Sequence, residues 1–406
     1  METKSKIPAL RFKGFTDAWE ERKLKDVLYI SKARNKSHKY GKEDVLSVSR
    51  EVGTVNQIEY QGRSFAGSDI SNYKVVQGGE LIYTKSPLKG APYGIFQVAT
   101  LEGILSPLYA VYNSTDKAYT PFVAMALKTD SIATHYLSPL VAKGAKNTIN
   151  VTDEGALQGK IKFPNILEQK QIFIFFKQLD ETIALHQRKL DLLKEQKKGF
   201  LQKMFPKNGE KVPELRFAGF ADDWEERKLG DIFKKDTQKN KDLEFHSDSV
   251  ISVAKMKLSP PSAKSSDEYM KTYNKIRKGN VAFEGHTNDE FPNGRFVLND
   301  CQDGIVSHIY DVYSAVDEYN NEFMKRYINN PDVMRKILIN ATSSARMMKS
   351  LNSIEFLKQS ILLPILSEQQ KIGKFFYQLD NTITLHQRKL DLLKELKKAL
   401  LRQLFV

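Results

Sequence analysis

The sequence predicts an α+β fold in which two α/β domains, related by pseudo-two-fold symmetry, are separated by two long antiparallel coiled-coil helices. Three observations predict it. Two segments of the 406-residue chain occur twice, strand-like segments lie between the repeated ones, and each copy ends in a long stretch with heptad spacing of apolar residues.

The composition indicates a globular protein with a basic surface. Hydrophobic residues make up 41% of the chain and aromatic residues 10%, enough for buried cores. The formal net charge of +14 favours a polyanionic partner, with a merely solvated basic surface as the alternative. The single cysteine, Cys301, excludes an internal disulfide and a cysteine-based zinc site. Because no signal-peptide core and no apolar run of membrane-spanning length is present, we expect a cytoplasmic protein without membrane association.

The chain is an internal duplication, and the two copies are most similar in their first and last segments. LRFKGFTDAWEERKLKDV (10–27) returns as LRFAGFADDWEERKLGDI (215–232), and residues 164–205 return at 364–405. Within the second pair, LHQRKLDLLKE is identical in both copies. The similarity between the matched segments is weaker, as in GILSPLYAVY (103–112) and GIVSHIYDVY (304–313). The two halves therefore share a fold and differ in their middle portions, which predicts one task performed on two different targets.

The middle portions contain short strands and two helix starts. Thr120 and Pro121 are expected to act as the N-cap and first residue of a helix through about Tyr136. Asn330 and Pro331 are expected to do the same for a helix through about Asn340. Runs rich in β-branched and aromatic residues, bounded by turn formers, predict strands. In the first half these runs are VLSVS (45–49), YKVVQ (73–77), ELIYTK (80–85), YGIFQV (93–98) and LYAVY (108–112).

Two stretches have the heptad spacing of coiled-coil helices. A helix of about 38 residues is about 57 Å long, and its apolar seam needs a partner, for which the other copy is the obvious choice. His186, Lys197 and their repeats interrupt the seams. They either fix the register or are a satisfied histidine and a lysine whose ammonium group reaches solvent. The predicted seam residues are Ile172, Phe176, Leu179, Ile183, His186, Leu190 and Leu193, with Ile372, Phe376, Leu379, Ile383, His386, Leu390 and Leu393 in the second copy.

These elements divide the chain into four segments. Residues 1–163 form an N-terminal segment and the first α/β domain, and residues 164–205 form the central coiled-coil helix. Residues 206–363 form the second α/β domain, and residues 364–406 form the C-terminal coiled-coil helix.

The sequence contains no convincing catalytic motif. GALQGKI (155–161) is one residue short of a phosphate-binding loop and has isoleucine in place of the hydroxyl residue that binds Mg²⁺. SPPS (259–262) lacks the aromatic residue with which amino-methyltransferases stack an extruded base. The seven histidines show no metal-ligand spacing, and no nucleophile elbow occurs. We therefore expect no catalytic, cofactor-binding or metal-binding residue in this chain.

Basic and amide side chains on turn-rich segments are candidates for binding DNA. Lysine would follow phosphates, whereas arginine and asparagine can form two hydrogen bonds to one base edge; ordinary surface charge is the alternative. The cluster at Lys234, Lys235, Lys239 and Lys241 is expected to mirror a cluster in the first half. The candidates are Lys32, Arg34, Lys36, Lys39, Lys85, Lys89, Lys143, Lys146 and Asn147, followed by Lys234, Lys235, Lys239, Lys255, Lys257, His286, Asn288, Arg295, Arg346 and Lys349.

The repeated segments resemble the specificity subunits of type I restriction–modification enzymes, and the resemblance covers the whole chain. It is carried by WEERKL (19–24), repeated at 224–229, and by EQ (168–169) at the start of a long helix, repeated at 368–369. GAKNTIN (144–150) and SARMMKSLN (344–352) lie where such subunits have a short polar turn, although the second begins with serine in place of the usual glycine.

The resemblance implies DNA recognition without catalysis. Each α/β domain would be a target recognition domain for one half of a split, asymmetric sequence of double-stranded DNA, and the helices would set the gap. Two modification subunits with adenine methyltransferase activity and two restriction/translocase subunits would bind the chain. The resemblance implies that these partners bind S-adenosylmethionine, ATP and Mg²⁺, and that this chain binds none of them.

Two other classes of function remain open. A scaffold that binds proteins through its paired domains would lack the strong salt dependence that phosphate contacts give to DNA affinity. An autonomous nuclease or methyltransferase with an unrecognised site would act alone when supplied with Mg²⁺ or S-adenosylmethionine.

Overall fold

The computed structural model describes residue 8 and residues 10–50, 52–87, 91–128, 130–143, 149–207, 210–259, 266–344 and 348–405. The chain divides into two compact units. Unit 1 is formed by Met1–Leu185 with Leu390–Val406, and unit 2 by His186–Lys389. Each unit mixes strands with helices, which confirms the predicted α+β class.

Unit 1 has short strands, several helices and, at its end, residues 390–404 of the last helix of the chain. Its helices are α1 Gln57–Gln61, α2 Thr120–Lys128, α3 Asp130–Leu137 and α4 Ile166–Lys203, which continues into unit 2. Its strands are β1 Glu20–Lys23, β2 Leu28–Ile30, β3 Leu46–Ser49, β4 Gly53–Asn56, β5 Lys74–Val76, β6 Leu81–Thr84, β7 Phe96–Val98, β8 Gly103–Leu105, β9 Tyr109–Ser114, β10 Ala142–Lys143, β11 Ile149–Asn150 and β12 Lys160–Phe163. The five strands predicted in the first half are confirmed.

The largest sheet of unit 1 has the antiparallel order β2-β9-β6-β7, and the pairs β1–β12, β3–β4, β5–β8 and β10–β11 accompany it. Because successive strand residues point to opposite faces, Leu81 and Tyr83 enter one core while Ile82 enters another. Strand β1, from the repeated WEERKL segment, pairs with β12, which ends just before α4.

Unit 2 repeats this order. Its strands are β13 Glu225–Lys228, β14 Phe233–Asp236, β15 Ile251–Ser252, β16 Lys257–Leu258, β17 Asn274–Ile276, β18 Val281–Glu284, β19 Arg295–Leu298, β20 Gly304–Val306, β21 Val312–Ala315, β22 Thr342–Ser344, β23 Lys349–Leu351 and β24 Ser360–Leu363. Its helices are α5 Leu229–Ile232, α6 Asp267–Met270, α7 Asn321–Tyr327, α8 Pro331–Ala341, α9 Ser353–Lys358 and α10 Leu366–Leu404. The order β14-β21-β18-β19 and the pairs β13–β24, β15–β16, β17–β20 and β22–β23 match unit 1 strand for strand.

The two predicted helix starts have different outcomes. Asn330 accepts a hydrogen bond from the backbone of Asp332 and caps α8, as predicted. Thr120 lies inside α2, and its hydroxyl donates to the carbonyl of Gly79, so the prediction that it is an N-cap is wrong. Helical residues continue on both sides of residue 129, which lies outside the described residues.

The core of unit 1 joins the start of the chain to residues near its other end. The indole of Trp19 is 2% exposed and lies 6.0 Å from the ring of Phe122 and 6.1 Å from that of Phe405. Leu404 belongs to the same core as Ile172. The folded unit 1 therefore requires side chains from residues 400–405.

In unit 2, the residues that follow α4 cover the equivalent tryptophan. Trp224, 1% exposed, lies 5.9 Å from the rings of both Phe323 and Tyr327, and Phe205 packs against Phe323 at 5.8 Å. Met204 belongs to the same core. In each unit, the segment that follows a long helix thus covers the tryptophan of the WEERKL repeat.

The long helices run antiparallel within each unit. In unit 1, Asp180 of α4 forms an ion pair with Lys397 of α10. In unit 2, Lys197 of α4 lies 2.7 Å from Asp380 of α10. Each lysine that interrupts a predicted seam therefore meets an aspartate of the facing helix, a contact that neither interpretation of the sequence included.

The glutamate–glutamine pair at each helix start joins the helix to the rest of its unit. In unit 1, Glu168 is fully buried and accepts from Arg11, while Gln169 accepts from the backbone of Tyr119 and donates to the carbonyl of Pro164. In unit 2, Glu368 accepts from Arg216, and Gln369 repeats the contacts of Gln169 with Asn320 and Pro364. These side chains have structural roles.

No helix in the described ranges is both long enough and apolar enough to span a lipid bilayer.

Candidate nucleic-acid interface

Each unit carries a surface loop held by one buried asparagine. In unit 1, Asn35 is 1% exposed; its amide donates to the carbonyl of Tyr40 at 2.9 Å, and its oxygen accepts from the backbone of Tyr40 at 3.2 Å. In unit 2, Asn240 is fully buried and makes the same two contacts with Phe245 at 2.7 and 3.1 Å. We call residues 31–40 the first anchored loop and residues 236–245 the second anchored loop.

The backbone of the two anchored loops is similar. His38 has a φ of 50° and Leu243, at the same place after its asparagine, a φ of 51°. The backbone of Asn35 donates to the carbonyl of Tyr73, and that of Asn240 to the carbonyl of Tyr273, both at 3.0 Å. Sequence reasoning missed these anchors, although RNK (34–36) and KNK (239–241) recur at equivalent positions.

Most cations of the first anchored loop are exposed. Lys32 has no ion-pair partner in the described part of the chain. Lys36 donates to the amide oxygen of Asn72 at 2.6 Å. Within the described part of the chain, the hydrogen bonds of the half-buried Arg34 go to backbone carbonyls. Lys39 lies 3.1 Å from the carboxylate of Glu102. The structure thus brings together four sequence-predicted candidates, of which only Lys39 has a carboxylate partner among the described residues.

The second anchored loop does not mirror the first in charge. Asp242 and Glu244 both lie 2.7 Å from the ammonium of Lys275, and Arg277 also contacts Glu244 at 2.7 Å. These hydrogen bonds lower the pKa of both carboxyl groups and raise that of Lys275. Lys239 is half-buried on this loop. Lys239 and Lys241 occupy the positions of Arg34 and Lys36, as expected, but carboxylates stand at positions that are uncharged or basic in unit 1, so the two loops differ in charge.

Lys85 has a partner that the sequence did not reveal. Its ammonium contacts the carboxylate of Asp153, which also lies 2.6 Å from Lys74. The side chains of Lys74, Asp153 and Lys85 are 5%, 17% and 18% exposed. Burial lowers the pKa of Lys74. Lys85 is therefore part of a mostly buried ionic triad, which argues against the expected contact with DNA.

Arg295 is held in a comparable way in unit 2. Its Nε donates to Glu284 at 2.8 Å, a terminal nitrogen donates to the carbonyl of Ala254 at 2.9 Å, and its guanidinium lies 5.0 Å from the ring centre of Phe291. Reading guanine requires two adjacent donors of the guanidinium. Nε and one terminal nitrogen are already engaged, so Arg295 is held against its own unit and only the remaining donors of its terminal nitrogens could reach a base.

Asn288 and His286 lie on a loop with an acidic balance. The oxygen of Asn288 accepts from the backbone of both Glu290 and Phe291, at 3.0 and 2.8 Å, so both its lone pairs are used. Reading adenine with two hydrogen bonds needs that oxygen free. His286 is exposed and lies 3.9 Å from Glu284. The expected contacts of Asn288 and His286 with DNA are therefore disfavoured.

The other candidates are scattered. Lys234, Lys255 and Lys257 are exposed, whereas Lys235 lies 2.6 Å from Asp311. Lys349 is half-buried on β23, and its backbone donates to the carbonyl of Gly285 at 2.8 Å. Lys143 lies on β10. Lys89, Lys146, Asn147 and Arg346 lie outside the described residues.

All predicted seam residues are buried or half-buried, and Ile172, Phe176, Ile372 and Phe376 belong to the hydrophobic cores of their units. The half-buried His186 and His386 lie with ring centres 5.7 Å apart in unit 2. Burial, followed by the charges of Lys389 and His386, lowers the pKa of His186. The buried members are Ile172, Phe176, Leu190, Leu193, Ile372, Phe376 and Leu390, and the half-buried ones are Leu179, Ile183, Leu379, Ile383 and Leu393.

The residues that the structure describes contain no group of three or more histidine, cysteine or carboxylate side chains arranged to hold a metal ion.

The duplicated scaffold, with different side chains on equivalent loops, is that of a tandem-repeat DNA-recognition protein. The family model of the type I restriction modification DNA specificity domain matches residues 16–195 and 221–395, which is more than half of the chain. The chain belongs to this family.

Individual relatives agree with this assignment. The chain is 22% identical over 441 residues to a putative type I restriction enzyme MjaX specificity subunit of Methanocaldococcus jannaschii, an alignment that covers 95% of this chain and 92% of the relative. Its fold is similar to that of the S subunit of a type I restriction-modification system from M. genitalium (TM-score 0.53, 13% identity, 98% of this chain and 99% of the other). It is also similar to an HsdS subunit from Thermoanaerobacter tengcongensis (TM-score 0.50, 14% identity, 96% and 97%).

Proposed function

We propose that this chain selects the DNA target of a type I restriction–modification complex by reading an asymmetric, bipartite sequence, one half with each unit. The observation that carries the proposal is the pair of anchored loops, which have similar backbones and different side chains. A constant scaffold with variable loops is what two unlike half-sites require, because base edges are distinguished by side-chain donors and acceptors.

The catalytic steps belong to partner subunits in this proposal. Two modification subunits would methylate adenine with S-adenosylmethionine, and two restriction/translocase subunits would use ATP and Mg²⁺. The chain itself would hold no cofactor and would choose the site for both activities. Membership of the specificity-domain family supports this division of labour.

Methylation mapping tests the target. Methylated adenines would be mapped genome-wide in cells with the chain and its cognate modification subunit, and in cells that lack only the chain. A new methylated motif of two short unlike half-sites separated by a fixed gap supports the proposal. If the modification subunit is expressed and bound but no chain-dependent motif appears, the proposal is wrong and the protein scaffold becomes the better hypothesis.

Helix length tests how the gap is set. One heptad added to both α4 and α10 lengthens each helix by about 10.5 Å, since the rise is about 1.5 Å per residue. At about 3.4 Å per base pair, the unread gap should widen by about three base pairs. A variant in which exposed helix residues are exchanged without a change in length is the control. An unchanged gap after the double insertion would exclude the helices as the spacer.

A further inference from the structure

The two anchored loops differ in charge although their backbones agree. Residues 31–40 (SKARNKSHKY) contain four lysine or arginine residues and no carboxylate, which gives +4. Residues 236–245 (DTQKNKDLEF) contain two lysines and three carboxylates, which gives −1. Lys36 and Lys241 directly follow the anchoring asparagines, so they occupy equivalent positions.

The neighbours of each loop preserve this difference. Near the first anchored loop, Glu102 contacts Lys39, and the charge of Lys36 contributes to the lowered pKa of Asp69, whose largest cause is its hydrogen bond with Ser71. With these two carboxylates the group keeps a charge of +2, since +4 − 2 = +2.

Near the second anchored loop, the counter-ions have the opposite sign. Lys275 and Arg277 hold Asp242 and Glu244, and Asp303 lies 3.3 Å from Arg277. This group is neutral, since −1 + 2 − 1 = 0. The matching strand of unit 1, β5, has Val75 where β17 has Lys275. The ion pairs that Lys275 makes in unit 2 therefore have no equivalent at this position of unit 1.

Building on the proposed function, we propose that the two units contact the DNA backbone through non-equivalent surfaces: the first anchored loop binds phosphates, and the second anchored loop does not. A phosphate that approaches the first loop meets exposed ammonium groups at Lys32 and Lys36. A phosphate that approaches the second loop meets Asp242 and Glu244. To bind a phosphate, Lys275 and Arg277 would have to give up their ion pairs with these carboxylates.

Matched double variants test this asymmetry in the full chain. Lys32→Met/Lys36→Met removes two lysines from the first loop, and Lys239→Met/Lys241→Met removes two from the second. DNA affinity would be measured over a range of salt concentrations, with a duplex that contains the motif identified by methylation mapping. Each lost phosphate contact lowers the slope of log affinity against log salt by about 0.9, so the first variant should lose about 1.8 and the second none.

A third variant tests whether the carboxylates cause the difference in phosphate binding. Ser37→Asp/Lys39→Glu gives the first loop the carboxylates of the second and leaves Asn35 unchanged, so affinity should fall and circular dichroism should not change. Equal slope changes in the two lysine variants, or a change only in the second, would overturn the asymmetry while leaving the proposed function intact. If the unaltered chain binds the target no better than other DNA, the proposed function itself fails.

Discussion

Arg11 and Glu168, 157 residues apart in sequence, form a bidentate ion pair. Nε and one terminal nitrogen of Arg11 donate to the two carboxylate oxygens of Glu168 at 2.9 and 2.6 Å. The Glu168 side chain is fully buried and that of Arg11 is 8% exposed. Arg216 and Glu368 repeat the arrangement at 2.7 and 2.8 Å. The pair joins the segment before the first strand to the first turn of a long helix, in the same way in both units.

Removing one partner of this pair should be costly. Arg11→Met leaves a buried carboxylate without its cation, which we expect to destabilise unit 1 by about 3–5 kcal/mol, measured by calorimetry or denaturant unfolding. Arg11→Met/Glu168→Met should recover most of the loss, because two apolar side chains then replace both charges. Equal losses in the single and double variants would show that the ion pair is not what stabilises this contact.

Two glycines in the long helices should respond to alanine with opposite sign. At Gly199 a Cβ would meet nothing within 4 Å, so Gly199→Ala should stabilise unit 2 by about 0.5–1 kcal/mol through helix propensity. At Gly373 a Cβ would lie 2.3 Å from the side-chain oxygen of Asn320 and 2.9 Å from the backbone nitrogen of Phe323, so Gly373→Ala should destabilise it. Thermal midpoints that shift in the same direction for both variants would contradict this prediction.

The triad around Asp153 should make the stability of unit 1 sensitive to acid. Burial raises the pKa of Asp153. The hydrogen bonds and charges of Lys74 and Lys85 have a larger, opposite effect, so the pKa of Asp153 in the folded protein lies below its ordinary value. Between the ordinary value of about 3.8, which applies to the unfolded chain, and the lower pKa of the folded protein, the unfolded chain binds more protons than the folded one. The free energy of unfolding therefore falls as the pH drops below about 3.8. Asp153→Asn should lower the thermal midpoint at neutral pH and flatten its dependence on acid. A curve parallel to that of the unaltered chain would contradict this role.

The histidine pair should give unit 2 a second pH dependence at milder acidity. Because the folded pKa of His186 lies below its ordinary value of 6.5, folding favours the neutral ring, and stability should fall as the pH drops below about 6.5. His186→Gln should remove this fall in the thermal midpoint between about pH 7.5 and 5.5. His308→Gln, a change at an exposed histidine of the same unit, is the control and should retain it. A fall that survives in His186→Gln would assign it to other groups.

The sequence predicted the architecture because the relevant signals are local or repeated. Strands such as 45–49 and 108–112 follow from side-chain patterns that span a few residues. The α+β class followed from finding those patterns beside two heptad stretches. The helix start at Asn330 was recognisable because its cap lies two residues from the group that it binds.

The candidate interface was harder to predict because charge partners come from distant parts of the chain. Lys85 meets Asp153, 68 residues later, and Lys275 meets Asp242, 33 residues earlier. A lysine in a turn-rich segment has the same local signature whether or not such a partner exists. Only the fold shows that Lys275 and Arg277 form ion pairs with the carboxylates of the second anchored loop, while Lys32 and Lys36 of the first have no carboxylate partner among the described residues.

The closure of Trp19 by Phe405 has a consequence for synthesis of the chain. A ribosome that adds about 5–20 residues per second completes residue 185 roughly 10–45 s before it adds residue 405. During that interval unit 1 has its sheet but lacks the side chains that seal its core, whereas unit 2 already has Phe205 before the rest of it is made. The second unit is therefore able to fold on emergence, while the first waits with an open apolar surface, the state in which nascent chains engage chaperones.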